Sequence, residues 1–198
     1  RQREREVLRR ALRTGRASSL HGMAGDRALA DLLRTMLADC PLGEILHVGC
    51  GSGQVLGLLL ADACLAVGTE PSGHLRQLAR LRLRQAGLPR WTVREAKPHQ
   101  LPFDADAFDV VILEDALGKA SGNTLESSLA EAARVLRPAG RLLLLDRILP
   151  TDSILAARLA ALNFAVTRRQ WLPGRAPDRA LFLASRPTAT HARTGTDD

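Results

Sequence analysis

The stretch "ILHVGCGSGQVLGLLL", residues 45–60, decides the fold. An apolar run leads into three glycines at alternate positions, Gly49, Gly51 and Gly53, and a helical pattern follows. Glycines permit positive φ and close backbone approach, and a helix start behind them presents free N–H groups, so the stretch reads as a nucleotide-binding turn. A dinucleotide turn wants G-x-G-x-x-G. Counting from Gly49, the sixth position is Gln54, and counting from Gly51 it is Leu56, so neither register fits. A P-loop fails as well, because no G-K-[ST] follows. What remains is G-x-G-x-G, with His47 two residues ahead of the first glycine.

Working outward, the chain alternates strands and helices. "EILHV" (44–48) leads through the glycine turn into a helix over about 53–63, and "CLAVGTE" (64–70) into a helix from Ser72 to about Gln85, closed by Gly87. "WTVREA" (91–96) is a third strand, and "FDVVILE" (108–114) a fourth whose apolar run suits burial on both faces. A helix over 124–137, stopped by Pro138, precedes a fifth strand, "RLLLLD" (141–146), and a short helix over about 152–162. "FAVTRRQWL" (164–172) and "RALFLAS" (179–185) read as a closing strand pair. Ahead of the alternation, residues 3–14 read as a basic helix and 26–39 as an amphipathic helix capped by Asp26. Such alternation predicts a doubly wound parallel sheet with helices on both faces. Ligands of such sheets bind at the carboxyl ends of the strands, where the glycine turn lies.

Composition narrows the partners. The 198 residues suffice for one domain with a real core. No apolar run approaches the roughly 18–20 residues of a membrane span, and residues 1–19 lack the apolar core of a secretory signal. Three cysteines, Cys40, Cys50 and Cys64, show no C-x-x-C or metal-ligand spacing, so a reduced, cytoplasmic protein without a metal is expected. The net charge is +7, and of 28 basic residues only Lys97 and Lys119 are lysine. That bias fits an acidic partner or a GC-rich coding sequence, and the second reading is preferred. Aromatics are 3% with no tyrosine, which leaves few platforms for stacking bases.

Four blocks in order then carry a resemblance: "ILHVGCGSG", "VGTEPS", "REAKPHQLPFDADAFDVVILE" and "AARVLRPAGRLLLLD". Over roughly residues 40–186 the sequence resembles the class I S-adenosylmethionine-dependent methyltransferases. Within these it is similar to the small-molecule group that includes the ubiquinone/menaquinone C-methyltransferases. The resemblance implies an α/β fold, a doubly wound, Rossmann-like, seven-stranded and mostly parallel sheet with an antiparallel last strand, preceded by N-terminal helices. It implies a helical cap over 1–39 and a cofactor domain over 40–186, and the polar residues 187–198 read as a disordered tail. The cofactor it implies is S-adenosyl-L-methionine, with S-adenosyl-L-homocysteine as product and a small molecule as acceptor.

The implied cofactor contacts are these. Gly49, Cys50, Gly51 and Gly53 form the loop under methionine and ribose. Glu70, with Pro71, ends the second strand, where a carboxylate accepts from both ribose hydroxyls. Glu95 faces the adenine amino group and Ala96 offers a backbone N–H. Glu114, with Asp115 behind it, meets the cofactor amino group or the acceptor. His47 stands where the family usually has an acid that holds the glycine loop; a neutral imidazole accepts one hydrogen bond there. Ala139 replaces the second glycine of the family's R-P-G-G turn, a change expected to be minor.

Methyl transfer is an in-line displacement that needs alignment more than covalent chemistry. Candidates for a general base are His21, His74, His99 and the Glu114–Asp115 pair, and the sequence singles out none. Two other functions stay open. A nucleic-acid or protein methyltransferase would use the arginine-rich start and the stripe Arg76, Arg80 and Arg84 on one helix. Against it, "EDAL" follows the fourth strand where amine-directed base methyltransferases carry N/D-P-P-Y/F, and no P-C dipeptide occurs. A catalytically weak cofactor-binding member is the other alternative, with His47 as its mark.

Overall fold

The computed structural model describes residues 23–40, 42–59, 63–115, 122–146, 152–172 and 179–185. The expected basic helix over 3–14, His21 and the polar end of the chain lie outside them. The elements are α1 (Met23–Leu37), β1 (Glu44–Val48), α2 (Gln54–Leu59), β2 (Leu65–Thr69), α3 (Gly73–Gln85), β3 (Trp91–Arg94), β4 (Phe108–Glu114), α4 (Gly122–Val135), β5 (Leu136–Asp146), α5 (Asp152–Ala161), β6 (Ala165–Leu172) and β7 (Arg179–Ser185).

The seven strands form one sheet in the order β3-β2-β1-β4-β5-β7-β6. The first five pair in parallel, and β7 runs antiparallel between β5 and β6. This is the expected doubly wound sheet with an antiparallel last strand. Chain order reverses at β1, which lies between β2 and β4, so the loop after β1 opens at the switch point.

The apolar runs bury both faces, as a parallel sheet requires. On one face Ile45, Val110, Ile112, Leu143 and Leu145 pack against Leu29, Leu33, Met36 and Leu37 of α1 and Val55 and Leu59 of α2. Beside them Ala66 and Val93 meet Ala79 and Leu83 of α3. On the other face Leu46, Val48, Val111, Leu113, Leu142 and Leu144 meet Leu125, Leu129, Ala132 and Ala133 of α4 and Leu155 and Leu159 of α5. Each leucine so buried contributes about 1.5–3 kcal/mol relative to exposure. Helix α1 thus shares a core with β1 and β4.

Two knots of charge fix the loops around this core. At the amino edge Arg137 reaches Glu44 Oε2 at 2.7 Å and Asp109 Oδ2 at 2.9 Å, and Asp109 also accepts from the Glu44 N–H at 2.8 Å. Arg137 thereby joins β5 to β1 and β4. Close by, at the end of α4, Glu131 accepts from the Leu101 N–H at 2.8 Å, while Arg134 donates to the carbonyls of Leu101 and Phe103 at 3.0 and 2.8 Å. Arg134 also pairs with Glu131 at 2.7 Å. Together they pin the L-P-F segment onto α4.

Some expected boundaries move. Helix α1 begins at Met23, so Asp26 lies inside it rather than at its cap. Helix α3 does start behind Ser72, whose Oγ accepts from the Leu75 N–H at 3.4 Å, and Gly87 at φ +65° closes it. Helix α4 ends at Val135, before Pro138, because Leu136 already pairs with Phe108 as the start of β5. Within β5, Ala139 stands at φ +62°, in the left-handed region that favours glycine. Its substitution for glycine is therefore not minor for the backbone: an L-residue in that region costs about 1–2 kcal/mol.

Replacing Ala139 by Gly should stabilise the fold by about 1 kcal/mol, read as a higher urea midpoint at unchanged slope. A second expectation concerns pH. Hydrogen bonding from Arg134 holds the Glu131 carboxyl below its ordinary 4.5. The unfolded chain therefore takes up that proton first, and stability should fall as pH drops through that range. Glu131→Gln should flatten this part of the stability–pH curve.

Candidate functional site

The loop leaving β1 is shaped by positive φ angles: +77° at Gly49, +52° at Gly51 and +78° at Gly53. A Cβ on Gly49 would lie 2.5 Å from the Glu114 carbonyl oxygen, and one on Gly53 would lie 3.0 Å from Ala79 Cβ. Side chains at these two positions would push β1 from β4 and α2 from α3. The loop's own donors are already engaged. The N–H groups of Gly49 and Cys50 both donate to the Thr69 carbonyl at 2.9 Å, and that of Gly53 to the Cys50 carbonyl at 2.8 Å. Arg82 of α3 donates to the Ser52 carbonyl and hydroxyl at 3.1 and 2.7 Å. A loop whose amides are spent this way is a poor phosphate cradle, in line with the failed P-loop register.

Glu70, 7% exposed, ties the loop to the neighbouring turn. Its Oε2 accepts from the Gly51 N–H at 3.1 Å and its Oε1 from the Ser72 N–H at 2.8 Å. Its own N–H donates to the Arg94 carbonyl of β3 at 3.1 Å. A carboxylate offers about four acceptor sites, so each oxygen keeps one for a further donor.

The arginine stripe on α3 is not a free basic face. Arg76 turns back to the sheet: its Nη1 donates to the carbonyls of Glu70 and Pro71, both at 2.8 Å, and its Nη2 meets Glu95 Oε2 at 2.5 Å. Arg80 donates to the Val93 carbonyl at 2.6 Å. Arg84 remains exposed. Glu95 is exposed and Ala96 is buried beside it.

At the centre, β1 and β4 align His47 with Ile112 and Val48 with Leu113, which sets Glu114 across from Gly49. His47 is fully buried, and its Nε2 lies 3.0 Å from Glu114 Oε2. The approach is close but off the line of a hydrogen bond, and neither ring nitrogen has a hydrogen-bond partner. The Thr69 hydroxyl at the end of β2 is likewise buried without one. Glu114 keeps its side chain 14% exposed. Asp115 follows at φ +48°, its N–H donating to the Leu145 carbonyl at 3.0 Å.

Sequence reading missed Asp146, a buried acid ending β5. Its signal was an acid closing an apolar run, the pattern that marked Glu70 and Glu114. Acids thus end β2, β4 and β5 along one edge. Their field shows at Cys50: burial, reinforced by Glu70 and Glu114, pushes its thiol up to about 12. An edge of this sign favours a cationic ligand. The other candidates stand apart: His74 and His99 are exposed. Among the described residues no cluster of three or more His, Cys, Asp or Glu could hold a metal, and no helix is long and apolar enough to cross a membrane.

Comparison with known proteins agrees with this geometry. The family model described as "Methyltransferase domain" matches residues 46–144, half of the chain. The uncharacterized methyltransferase YodH of Bacillus subtilis is 34% identical over 132 residues, covering 63% of this chain and 54% of the relative. The ubiquinone/menaquinone biosynthesis C-methyltransferase UbiE of Azotobacter vinelandii is 34% identical over 114 residues, covering 58% of this chain and 40% of the relative. The chain thus spans about half the length of the curated relatives it matches. Among solved structures, the magnesium protoporphyrin IX methyltransferase of Synechocystis, with bound SAM, superposes with a TM-score of 0.70 over 82% of this chain and 80% of that one. At 18% identity that likeness is one of fold.

Cysteine reactivity tests the loop. In the native protein iodoacetamide should label exposed Cys64 first and leave Cys50 unlabelled until unfolding, as followed by mass spectrometry. Equal labelling of Cys50 at neutral pH would show that the loop opens.

Proposed function

The chain belongs to the methyltransferase-domain family, and on that footing we propose that it binds S-adenosyl-L-methionine across the carboxyl ends of β1, β2 and β4. Bound there, the cofactor supplies an electrophilic methyl group on a sulfonium, taken in line by a small-molecule acceptor to leave S-adenosyl-L-homocysteine. The observation that carries this reading is the Glu70 carboxylate. It is buried at the end of β2 and held on the N–H groups of Gly51 and Ser72, with acceptor capacity left on each oxygen.

In this reading Glu70, beside Pro71, takes the ribose hydroxyls. Gly49, Cys50, Gly51 and Gly53 give the cofactor a backbone floor that no side chain obstructs. Glu95 accepts from the adenine amino group and Ala96 lines the base. Glu114 faces the cofactor's ammonium, with His47 beneath it. The fit with a cation rests on this chain's own acids, Glu70, Glu114 and Asp146, and on the unpartnered buried atoms of His47 and Thr69. The same negative edge favours the positive sulfonium over the neutral thioether of the product, which helps exchange of spent cofactor. Residues 40–186 form the cofactor domain and 1–39 its cover, of which α1 already packs on the face that holds His47. The nucleic-acid reading loses its support in the stripe, since Arg76 and Arg80 are bound to backbone carbonyls.

Calorimetric titration tests the proposal. S-adenosyl-L-homocysteine and S-adenosyl-L-methionine should both bind, and Glu114→Gln should weaken each by about tenfold or more, since a charged hydrogen bond contributes about 1.5–3 kcal/mol. Absence of heat with either ligand at millimolar concentration would overturn it. Binding without turnover on any acceptor would favour the catalytically weak alternative.

A further inference from the structure

Arg76 links the backbone at the end of β2 to the carboxylate of Glu95. Its guanidinium spans from the end of β2, through the carbonyls of Glu70 and Pro71, to Glu95 just past the end of β3. The arginine side chain is 14% exposed, whereas that of Glu95 is 70% exposed. A glutamate so open would otherwise sample several rotamers in water. The fork of Arg76 removes that freedom: it anchors one nitrogen on backbone and presents the other to Glu95 Oε2. The remaining oxygen, Oε1, is left as an acceptor in a fixed place.

We infer that Arg76 is a positioning residue that sets base selectivity: by holding Glu95 as a fixed acceptor, it makes the site prefer a 6-aminopurine to a 6-oxopurine. This rests on the cofactor reading above. The chemistry is that of donor against acceptor. The amino group of adenine donates to Glu95 Oε1, whereas the carbonyl of hypoxanthine sets an acceptor against it. A site built to receive a donor discriminates strongly only while its own partner is held in place. A loosened Glu95 can turn away from the carbonyl, and the distinction fades.

The test compares S-adenosyl-L-homocysteine with S-inosyl-L-homocysteine, which differ in the 6-substituent and in the proton that N1 carries beside the 6-oxo group, by calorimetry on the wild-type chain, Arg76→Ala, Arg76→Lys and Glu95→Gln. The wild type should prefer the adenosyl ligand by about tenfold or more. Arg76→Ala should bring the ratio towards one, mainly by weakening the adenosyl ligand. Arg76→Lys should keep part of it, and Glu95→Gln should remove it. In the double variant Arg76→Ala/Glu95→Gln the ratio should not change further. If Arg76→Ala weakens both ligands equally and leaves the ratio unchanged, Arg76 only supports the turn and the inference is wrong. If Arg76→Ala does not fold, Arg76→Lys decides alone, and an unchanged ratio overturns the inference. If the wild type binds neither ligand, the cofactor reading itself falls, and the inference with it.

Discussion

Everything at the carboxyl edge depends on one buried carboxylate receiving two backbone N–H groups. Glu70 accepts from Gly51 in the loop after β1 and from Ser72 in the turn after β2. Its backbone meanwhile reaches β3 through Arg94 and takes Arg76 on its carbonyl. A charge buried to this extent is tolerated because each oxygen receives a backbone donor, and such charge-assisted bonds are roughly twice as strong as neutral ones. The loop is therefore shaped before any ligand arrives, and little ordering cost remains for binding.

The two ends of the sheet use charge differently. At the amino edge Arg137 pairs with both Glu44 and Asp109, so opposite charges tie the ends of β1, β4 and β5. At the carboxyl edge acids end β2, β4 and β5, and the imidazole of His47 lies 3.0 Å from Glu114.

The sheet was readable in the sequence because apolar periodicity reports burial directly. The bounds of β4 and β7 came out as drawn, since "FDVVILE" and "RALFLAS" are flanked by turn residues. The membership of the methyltransferase-domain family was readable too, from four spaced blocks. Less readable were features set by reach in three dimensions. A helical stripe fixes the direction in which Arg76 and Arg80 leave α3, but not whether so long a side chain meets water or folds back onto a carbonyl. The closeness of His47 and Glu114, 67 positions apart, arises from strand register, which no local pattern encodes. Pro138 pointed to the end of a helix, but the pairing of Leu136 with Phe108 had already drawn the chain into β5.

Among the described residues strand β3 ends the sheet and pairs with β2 alone. The carbonyls of Arg90 and Arg94 accept from the Ala66 and Glu70 N–H groups of β2. By the alternation of a strand, the carbonyl of Val93 between them points to the open side, and that is the carbonyl Arg80 covers at 2.6 Å. Open strand edges are templates for unwanted pairing with other chains, and charge is a common means of blunting them. In this chain Arg80 places its charge on that side from the neighbouring helix. One arginine of the stripe that offered itself to a nucleic acid is thus spent on the chain's own strand edge.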